Sequence, residues 1–293
     1  MEQTKEITAL LNLIDDPDFE VYTTVSEKII SLGREIIPNL EHLWETTPDE
    51  HTQERIEMLI HSLHFRELQI EFKQWINNEN RDLLTGVLLV CRYQYPDINI
   101  TASYQEVEKL RRNIWLELNS YLTALEKVNV VNNILFNYYN IKGTEINYTQ
   151  PDDFLIHKLL ETKKGNAIST GLLIVILSYL LDINVYMINI PRQFILAYFD
   201  DDPEISNESD FPPEHIQFYI DGASGQVFSH KDVETYFNRI KIKPASSFFR
   251  PLSYKRIVQL LIEEYANCFN DAKQAYKKND LLSLAEMLNG DDE

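Results

Sequence analysis

The sequence predicts an α+β protein in which a buried helix packs against a small antiparallel sheet, with helical segments on both sides of this core. Five of the eight glycines lie in the middle of the chain, where turns and strands need them, whereas the first 80 residues contain only Gly33. The uncharged apolar run from Ile168 to Leu181 predicts a buried helix, and β-rich runs follow it. A long helix followed by antiparallel strands is typical of α+β proteins.

The first 77 residues predict paired amphipathic helices. Apolar residues recur at spacings of three and four in ITALLNLIDD, FEVYTTVSEKIISLG, NLEHLWETT and ERIEMLIHSLHFRELQIEFKQWI, and Pro38 predicts a break between them. The first pair and its Asp-Asp-Pro-Asp turn resemble a HEAT-type helical repeat. Residues 1–75 contain sixteen acidic and six basic residues, which predicts a solvated acidic face or a docking surface for a basic partner.

Helical spacing continues to the start of the buried helix and returns near the end of the chain. Helices are predicted in RDLLTGVLLVCRYQYPD, YQEVEKLRRNIWLELNSYL, VNVVNNILFNYYNI and FLIHKLLETKKG, with a loop in KGTEINYTQPDD. Asn166 is the predicted N-cap of the buried helix, which places Ser169 in its first turn. From Pro251 the spacing is helical again, and AKQAYKKNDLLSLAEML resembles one tetratricopeptide unit.

Strands are predicted after the buried helix, in INVYMINIP, QFILAYF and HIQFYID, and DGASGQVF predicts a turn leading into a further short strand. The predicted division of the chain is therefore a HEAT-like helical segment at 1–77, an α+β core at 78–250 and a C-terminal helical hairpin at 251–293.

The charge balance bears on possible partners. The 46 acidic and 27 basic residues give a formal net charge of -19, which repels phosphate backbones and anionic lipids, so neither nucleic acid nor membrane is an expected partner. The Ile168–Leu181 run has fourteen residues, whereas a membrane-spanning helix needs about 20. The start, MEQTKEITALL, has no basic or apolar signal region, so a cytoplasmic location is expected.

Three blocks of the middle region carry a family resemblance. NYTQPDDFLIHKLLETKKGNAIST, INIPRQFILAYF and FYIDGASGQVFS, in this order, resemble the bacterial transglutaminase-like family of the SirB group over about residues 80–250. The resemblance implies a papain-like core with a nucleophile at a helix N-terminus, a histidine at a strand start and an aspartate on the neighbouring strand. The implied positions are Ser169, where transglutaminases have cysteine and the SirB group commonly has serine, Gln193 and Asp221.

Glutamine at the histidine position argues against catalysis. An amide has no basic lone pair, so Gln193 cannot remove the proton of Ser169, and losing the base of a triad forfeits several orders of magnitude in rate. We therefore expect a catalytically inactive protein that acts as a binding or scaffolding module for a protein or peptide partner. In this prediction Ser169, Gln193 and Asp221 converge in a shallow cleft, where Gln193 bridges the hydroxyl and the carboxylate.

Two alternatives remain open. The first is a serine-dependent hydrolase or acyltransferase that uses Ser169 with an unidentified base, and the second is an acidic helical interaction scaffold. His215 is a poor base candidate, because six residues of extended strand separate it from Asp221 by about 20 Å. If Gln193 pairs opposite Asp221, the same register sets His215 opposite Phe199, at the far end of the sheet.

Other candidate sites are weaker. Glu57, His61 and His64 share a helix face and could offer metal ligands, but polar surface is the more common role of such residues. Cys91 lies in an apolar helix, where an unreactive buried thiol is expected.

The loop GTEINYTQPDD could hold a cation through Glu145 and Asp152 or Asp153, although its spacing is that of a turn. No Gly-rich phosphate loop, G-x-S-x-G elbow or paired-cysteine motif occurs in the sequence. Neither a cofactor nor a metal is therefore expected.

Overall fold

The computed structural model describes residues 2–200 and 213–289. The chain divides into two compact units, one up to Gln74 and one from Trp75 onward. Neither described stretch contains a helix with the length and apolar character that crossing a membrane requires. The three-part division expected from the sequence stays a prediction.

The first unit is helical. Its helices are α1 (Glu2–Leu11), α2 (Phe19–Leu32), α3 (Ile37–Thr46) and α4 (Glu50–Ile76), whose last two residues belong to the second unit. Ile14, Ile29, Leu40 and Ile56 are fully buried members of one apolar cluster that holds these helices together. Pro38 lies in the first turn of α3, where its missing N–H has no intrahelical partner to lose.

The second unit contains eight α-helices among the described residues. They are α5 (Leu83–Gln94), α6 (Ile100–Glu117), α7 (Ala124–Asn132), α8 (Ile156–Thr162), α9 (Ala167–Tyr179), α10 (His230–Ile240), α11 (Tyr254–Ala266) and α12 (Ala275–Leu288). The buried helix expected from the Ile168–Leu181 run is α9, and every residue from Ile168 to Ser178 is buried in it.

Two short strands form a parallel pair before α9. Strand β1 (Lys142–Thr144) pairs with β2 (Lys164–Asn166), so the first residues of the predicted loop are a strand and the predicted helix over 154–165 ends at Thr162. Gly143 explains part of this arrangement, because a Cβ at this position would clash with the carbonyl group of Ala223. The missing side chain lets β1 lie close to the backbone at Ala223, in a turn between two strands of the main sheet.

The main sheet is antiparallel and has four strands. They are β3 (Val185–Ile188), β4 (Ile195–Phe199), β5 (Ile216–Asp221) and β6 (Val227–Phe228), and their order in the sheet is β3-β4-β5-β6.

The register of β4 and β5 corrects the expected pairing. Asp221 lies opposite Ile195 rather than Gln193, and Phe199 lies opposite Ile216 rather than His215. The offset is two residues at one end and one at the other, because an irregularity between Tyr198 and Phe199 shifts the ladder. A two-residue offset at the Asp221 end keeps each side chain on the face that the expected pairing would give it.

Helices α9 and α10 cover opposite faces of this sheet. Gly171 of α9 lies against Leu196 of β4 and the backbone of Gly222. Val233 and Phe237 of α10 belong to an apolar cluster with residues of the other face, among them Ala197 and Tyr219. The sheet is therefore enclosed between two helices. Its β4–β5 end, where β4 begins at Ile195 and β5 ends at Asp221, lies between them.

Candidate functional site

The N-terminus of α9 has the cap that the sequence predicts. The Asn166 side-chain oxygen accepts hydrogen bonds from the backbone N–H of Ile168 at 2.9 Å and of Ser169 at 3.1 Å. Ser169 therefore occupies the first turn, as expected. The cap satisfies two of the N–H groups that a helix start leaves without intrahelical partners.

The hydroxyl of Ser169 is enclosed by backbone. Its side chain is 0% exposed, and its Oγ donates to the carbonyl oxygen of Asp153 at 2.6 Å. The same Oγ accepts from the backbone N–H of Asn166 at 3.1 Å, which completes a reciprocal capping box. A Cβ on Gly165 would collide with this oxygen. The hydroxyl thus fastens the α9 N-terminus to the 3-10 turn Pro151–Phe154.

Ser169 also faces away from the sheet. Gly171 marks the side of α9 that contacts β4 and Gly222. Successive helical residues are about 100° apart, so Ser169, two positions before Gly171, points roughly 160–200° away from that side. Ala167, four positions before Gly171, lies on the same side as Gly171.

Ala167 is the helix residue that meets the β4–β5 end of the sheet. It is the first residue of α9, and its carbonyl oxygen lies 2.5 Å from where a Cβ of Gly222 would be. The carbonyl oxygen of Phe194 lies 3.2 Å from the same point. Ala167, at the start of the helix, and Phe194, the residue after Gln193, therefore both lie beside Gly222, which follows Asp221. Reasoning from sequence missed Ala167, because an alanine carries no chemical group to notice.

Gln193 lies in the turn before β4 and on the other face of the sheet. Its backbone N–H donates to the carbonyl of Ile190 at 3.1 Å, and Arg192 before it has a φ of +63°. The exposed side chain of Gln193 lines a cavity of about 270 Å³ together with Val233 and Tyr236 of α10. Within residues 2–200 and 213–289, its amide group forms no hydrogen bond.

Asp221 ends β5 and organises the turn to β6. Its Oδ2 accepts from the backbone N–H of Ser224 at 2.9 Å and from the Ser224 hydroxyl at 2.5 Å. Asn132 holds the same turn from outside, since its side-chain amide donates to the carbonyl of Gly225 at 2.7 Å. The carboxylate of Asp221 is therefore used for the local turn.

The three positions implied by the resemblance are not joined in the structure. No hydrogen bond connects Ser169, Gln193 and Asp221 within the described residues, and the bridging role expected for Gln193 is not seen. Gln193 and Asp221 flank the same end of the sheet, whereas Ser169 lies on the far side of α9. The expected convergence therefore fails at Ser169.

His215 lies at the opposite end of β5 from Asp221. It precedes the first residue of this strand, and its carbonyl oxygen accepts from the backbone N–H of Asp200 at 3.0 Å. The strand between them keeps the imidazole far from the β4–β5 end, as the sequence indicated.

The candidate metal and cation ligands have other partners. An oxygen of Glu57 accepts from the indole N–H of Trp44 at 3.0 Å, and His61 stacks on Phe65. An oxygen of Asp152 accepts from the Tyr95 hydroxyl at 2.8 Å. No group of three histidine, cysteine, aspartate or glutamate side chains suited to a metal comes together in the described part of the chain.

Both cysteines are free thiols in environments that disfavour the thiolate. Cys91 is buried in α5, and this burial raises the pKa of its thiol to about 12, although backbone N–H groups of His157 and Ile156 partly oppose the shift. Burial also raises the pKa of Cys268 to about 12, helped by the nearby Glu264 carboxylate. Neither thiol has the lowered pKa of a reactive cysteine.

The fold and this site define an α+β protein whose central helix begins at the end of a four-stranded antiparallel sheet. A family model described as the transglutaminase-like superfamily matches residues 101–263, more than half of the chain. The chain therefore belongs to the transglutaminase-like superfamily. Neither the curated proteins nor the solved structures include a match to it.

Proposed function

We propose that this chain is a catalytically inactive member of the transglutaminase-like superfamily that acts as a binding or scaffolding module. The observation that carries the proposal is the placement of Ser169. Its hydroxyl is 0% exposed, donates to a backbone carbonyl and faces away from the sheet that bears Gln193 and Asp221. A serine in this position has no path to a substrate carbonyl.

The hydrogen-bond partners of the Ser169 hydroxyl support the same conclusion. Within the described stretches, the hydrogen-bond partners of its hydroxyl are backbone groups of Asp153 and Asn166. A general base must lie within hydrogen-bond reach of the proton that it removes. Gln193 cannot serve at any accessible pH, because its amide does not bind a proton.

The residue at the β4–β5 end of the sheet supports it further. Ala167, rather than Ser169, is the first-turn residue of α9 that lies against Gly222. The free N–H groups of a helix start favour a thiolate or an oxyanion. The methyl side chain of Ala167 has no group that could become a thiolate or attack a carbonyl. The position best placed for a nucleophile therefore carries none.

Reaction with an active-site probe tests the proposal directly. The full chain and its Ser169→Ala variant are incubated with a fluorophosphonate, with p-nitrophenyl acetate and with a small amide, at pH 7 to 9. We expect equal, background-level labelling and turnover for both proteins. Labelling or turnover that disappears in Ser169→Ala would establish the serine-dependent hydrolase or acyltransferase instead.

Finer features of the proposal concern the subfamily and the partner. The SirB-type assignment, the HEAT-like and tetratricopeptide-like flanks, a cytoplasmic location and a protein or peptide partner are parts of it that rest on the sequence. A pull-down from native cell extract, with the full chain and with a chain starting at Trp75, distinguishes partner recognition by the core from the acidic-scaffold alternative. A partner kept by the shorter chain supports recognition by the core, and one lost with residues 1–74 supports the acidic scaffold.

A further inference from the structure

A small cavity with an apolar floor lies beside Gln193, between the sheet and α10. Its volume is about 270 Å³, and Ile190, Ile195, Phe228 and Val233 supply the apolar surface. Drug-sized ligands occupy pockets of about 300–1,000 Å³. The cavity therefore suits a short alkyl chain or one apolar side chain.

Arg239, which has no carboxylate partner among the described residues, lies at this cavity. Arg239 of α10 lines it, and its guanidinium carbon is 5.3 Å from the centre of the Tyr236 ring. Within residues 2–200 and 213–289, Arg239 forms neither a hydrogen bond nor an ion pair. The chain has 46 acidic and 27 basic residues, so carboxylates are plentiful elsewhere. A guanidinium held on an aromatic ring presents a planar fork that matches a carboxylate.

The acidic group at the cavity is already satisfied. Oδ2 of Asp232 accepts from the hydroxyl of Ser229 at 2.6 Å and from its backbone N–H at 2.8 Å, and these bonds lower the pKa of Asp232. Its charge lies in the first turn of α10, where the helix dipole offsets it. Gln193 adds an exposed amide that can donate to an oxygen or accept from an N–H.

We propose that this cavity binds an apolar chain that ends in a carboxylate. The chain lies on the isoleucine, phenylalanine and valine floor, and the carboxylate pairs with Arg239 beside the Gln193 amide. The inference rests on the proposed function, since it names the ligand chemistry of a core that binds rather than reacts. The carboxylate comes from a free aliphatic acid or from the C-terminus of a peptide with an apolar last residue.

Matched ligands test the pairing with Arg239. Binding of hexanoate and of its neutral isostere hexanamide to the full chain is measured by isothermal titration calorimetry at about 0.15 M salt. We expect hexanoate to bind more tightly. Arg239→Gln should weaken hexanoate binding about tenfold or more and leave hexanamide unchanged, as for loss of a charged hydrogen bond. Arg239→Lys keeps the charge and loses the planar fork. Its affinity for hexanoate should lie between those of the unmodified chain and Arg239→Gln.

The matched control removes one positive charge from the same helix. Lys231 is exposed on α10 and does not line the cavity, so Lys231→Gln should bind hexanoate as the unmodified chain does. N-acetyl-leucine and N-acetyl-leucine amide then distinguish the source of the carboxylate. Preference for N-acetyl-leucine over hexanoate identifies a peptide C-terminus, and the reverse identifies a free acid.

Several results would overturn the inference. They are equal affinity for hexanoate and hexanamide, unchanged hexanoate binding in Arg239→Gln, or no binding of any probe at millimolar concentration. Should Arg239→Gln fail to fold by circular dichroism, Thr235→Trp at the cavity edge gives a second test, since its bulk should block both ligands. Fluorophosphonate labelling of Ser169 would overturn the proposed inactivity alone, and failed hexanoate binding would overturn this inference alone.

Discussion

Ser169 fastens the start of α9 to the backbone at Asp153 through its buried hydroxyl. The asparagine before an apolar run correctly predicted the cap of α9 and the first-turn position of the serine. The direction of the serine was not predictable, because all residues from Ile168 to Ser178 are buried and a helix that is apolar all round has no amphipathic face to indicate its orientation. The contacts of Gly171 with Gly222 and Leu196 identify the side that faces the sheet.

A structural role for Ser169 gives it a measurable effect on stability. Ser169→Ala removes the donor to the Asp153 carbonyl and the acceptor for the Asn166 N–H, both in buried surroundings. We expect the free energy of unfolding to fall by about 1–3 kcal/mol, as for other buried groups left without partners. Urea denaturation at pH 7 measures it.

Gln193→Ala is the control for this measurement. The Gln193 side chain is exposed, so its removal should change the free energy of unfolding by less than about 0.5 kcal/mol. An unchanged midpoint for Ser169→Ala would contradict the structural role.

The close approach at Gly222 gives a second prediction at this scale. A Cβ there would lie 2.5 Å from the carbonyl oxygen of Ala167 and 3.2 Å from that of Phe194, so the backbone must shift to admit it. Gly222→Ala should lower the free energy of unfolding by about 1–3 kcal/mol. Gly171→Ala is the matched substitution, because its new methyl group would have ordinary contacts, at 3.4 Å from Gly222 and 3.8 Å from Leu196. Thermal unfolding of both variants compares them, and similar losses would contradict this account of the junction.

At the scale of elements, the fold was predicted best where burial is strong. Helix α9 and strands β3, β4 and β5 follow apolar runs, and the structure has all of them. Helix α10 was not predicted, since HKDVETYFNRI is mostly polar and only Val233 and Phe237 are buried. Strand β1 was not predicted because Lys-Gly-Thr has no apolar alternation, and its pairing with β2 depends on contacts distant in sequence. Tertiary contacts, rather than the local sequence pattern, therefore determine α10 and β1.

The stabilisation that the N-terminal cap of α7 provides should depend on pH, because a carboxylate takes part in it. Glu126 accepts from the backbone N–H and the hydroxyl of Thr123, both at 2.8 Å, and these bonds lower its pKa below the ordinary value of 4.5. A pKa lowered by folding stabilises the protein above the unfolded value, and this stabilisation disappears as pH falls through the folded value. We expect Glu126→Gln to unfold more easily than the unmodified chain at pH 7. The difference should shrink below pH 4.5.

Thermal unfolding at pH 7, 5 and 3 measures this difference. A gap between the two proteins that widens as the pH falls would be inconsistent with the cap. Because Glu126 is exposed, the comparison rests on the trend with pH rather than on its size.

At the scale of the whole molecule, charge is divided unevenly along the chain. Residues 1–75 hold sixteen acidic and six basic residues, so this stretch carries ten of the nineteen net negative charges. The boundary between the two compact units lies at Gln74–Trp75. The acidic portion and the superfamily core are thus separate parts of the structure, and each can be tested by itself.

A chain that starts at Trp75 should fold without the acidic unit. It retains the main sheet, both helices that cover it and the matched family region at 101–263. We expect one cooperative urea transition and a near-ultraviolet circular dichroism spectrum with native aromatic signals. Loss of the cooperative transition would show that the second unit depends on the first.

Trp75 provides an internal optical signal for such measurements. Its side chain is 4% exposed, its ring lies against Gly86, and its indole N–H donates to the carbonyl of Asp82 at 2.9 Å. The other two tryptophans, Trp44 and Trp115, are 38% and 61% exposed. Replacing both with phenylalanine leaves one tryptophan, in an apolar setting. Its emission maximum should lie at short wavelength in the folded chain and move to longer wavelength when the α5–α11 packing opens, so one emission band follows the second unit alone.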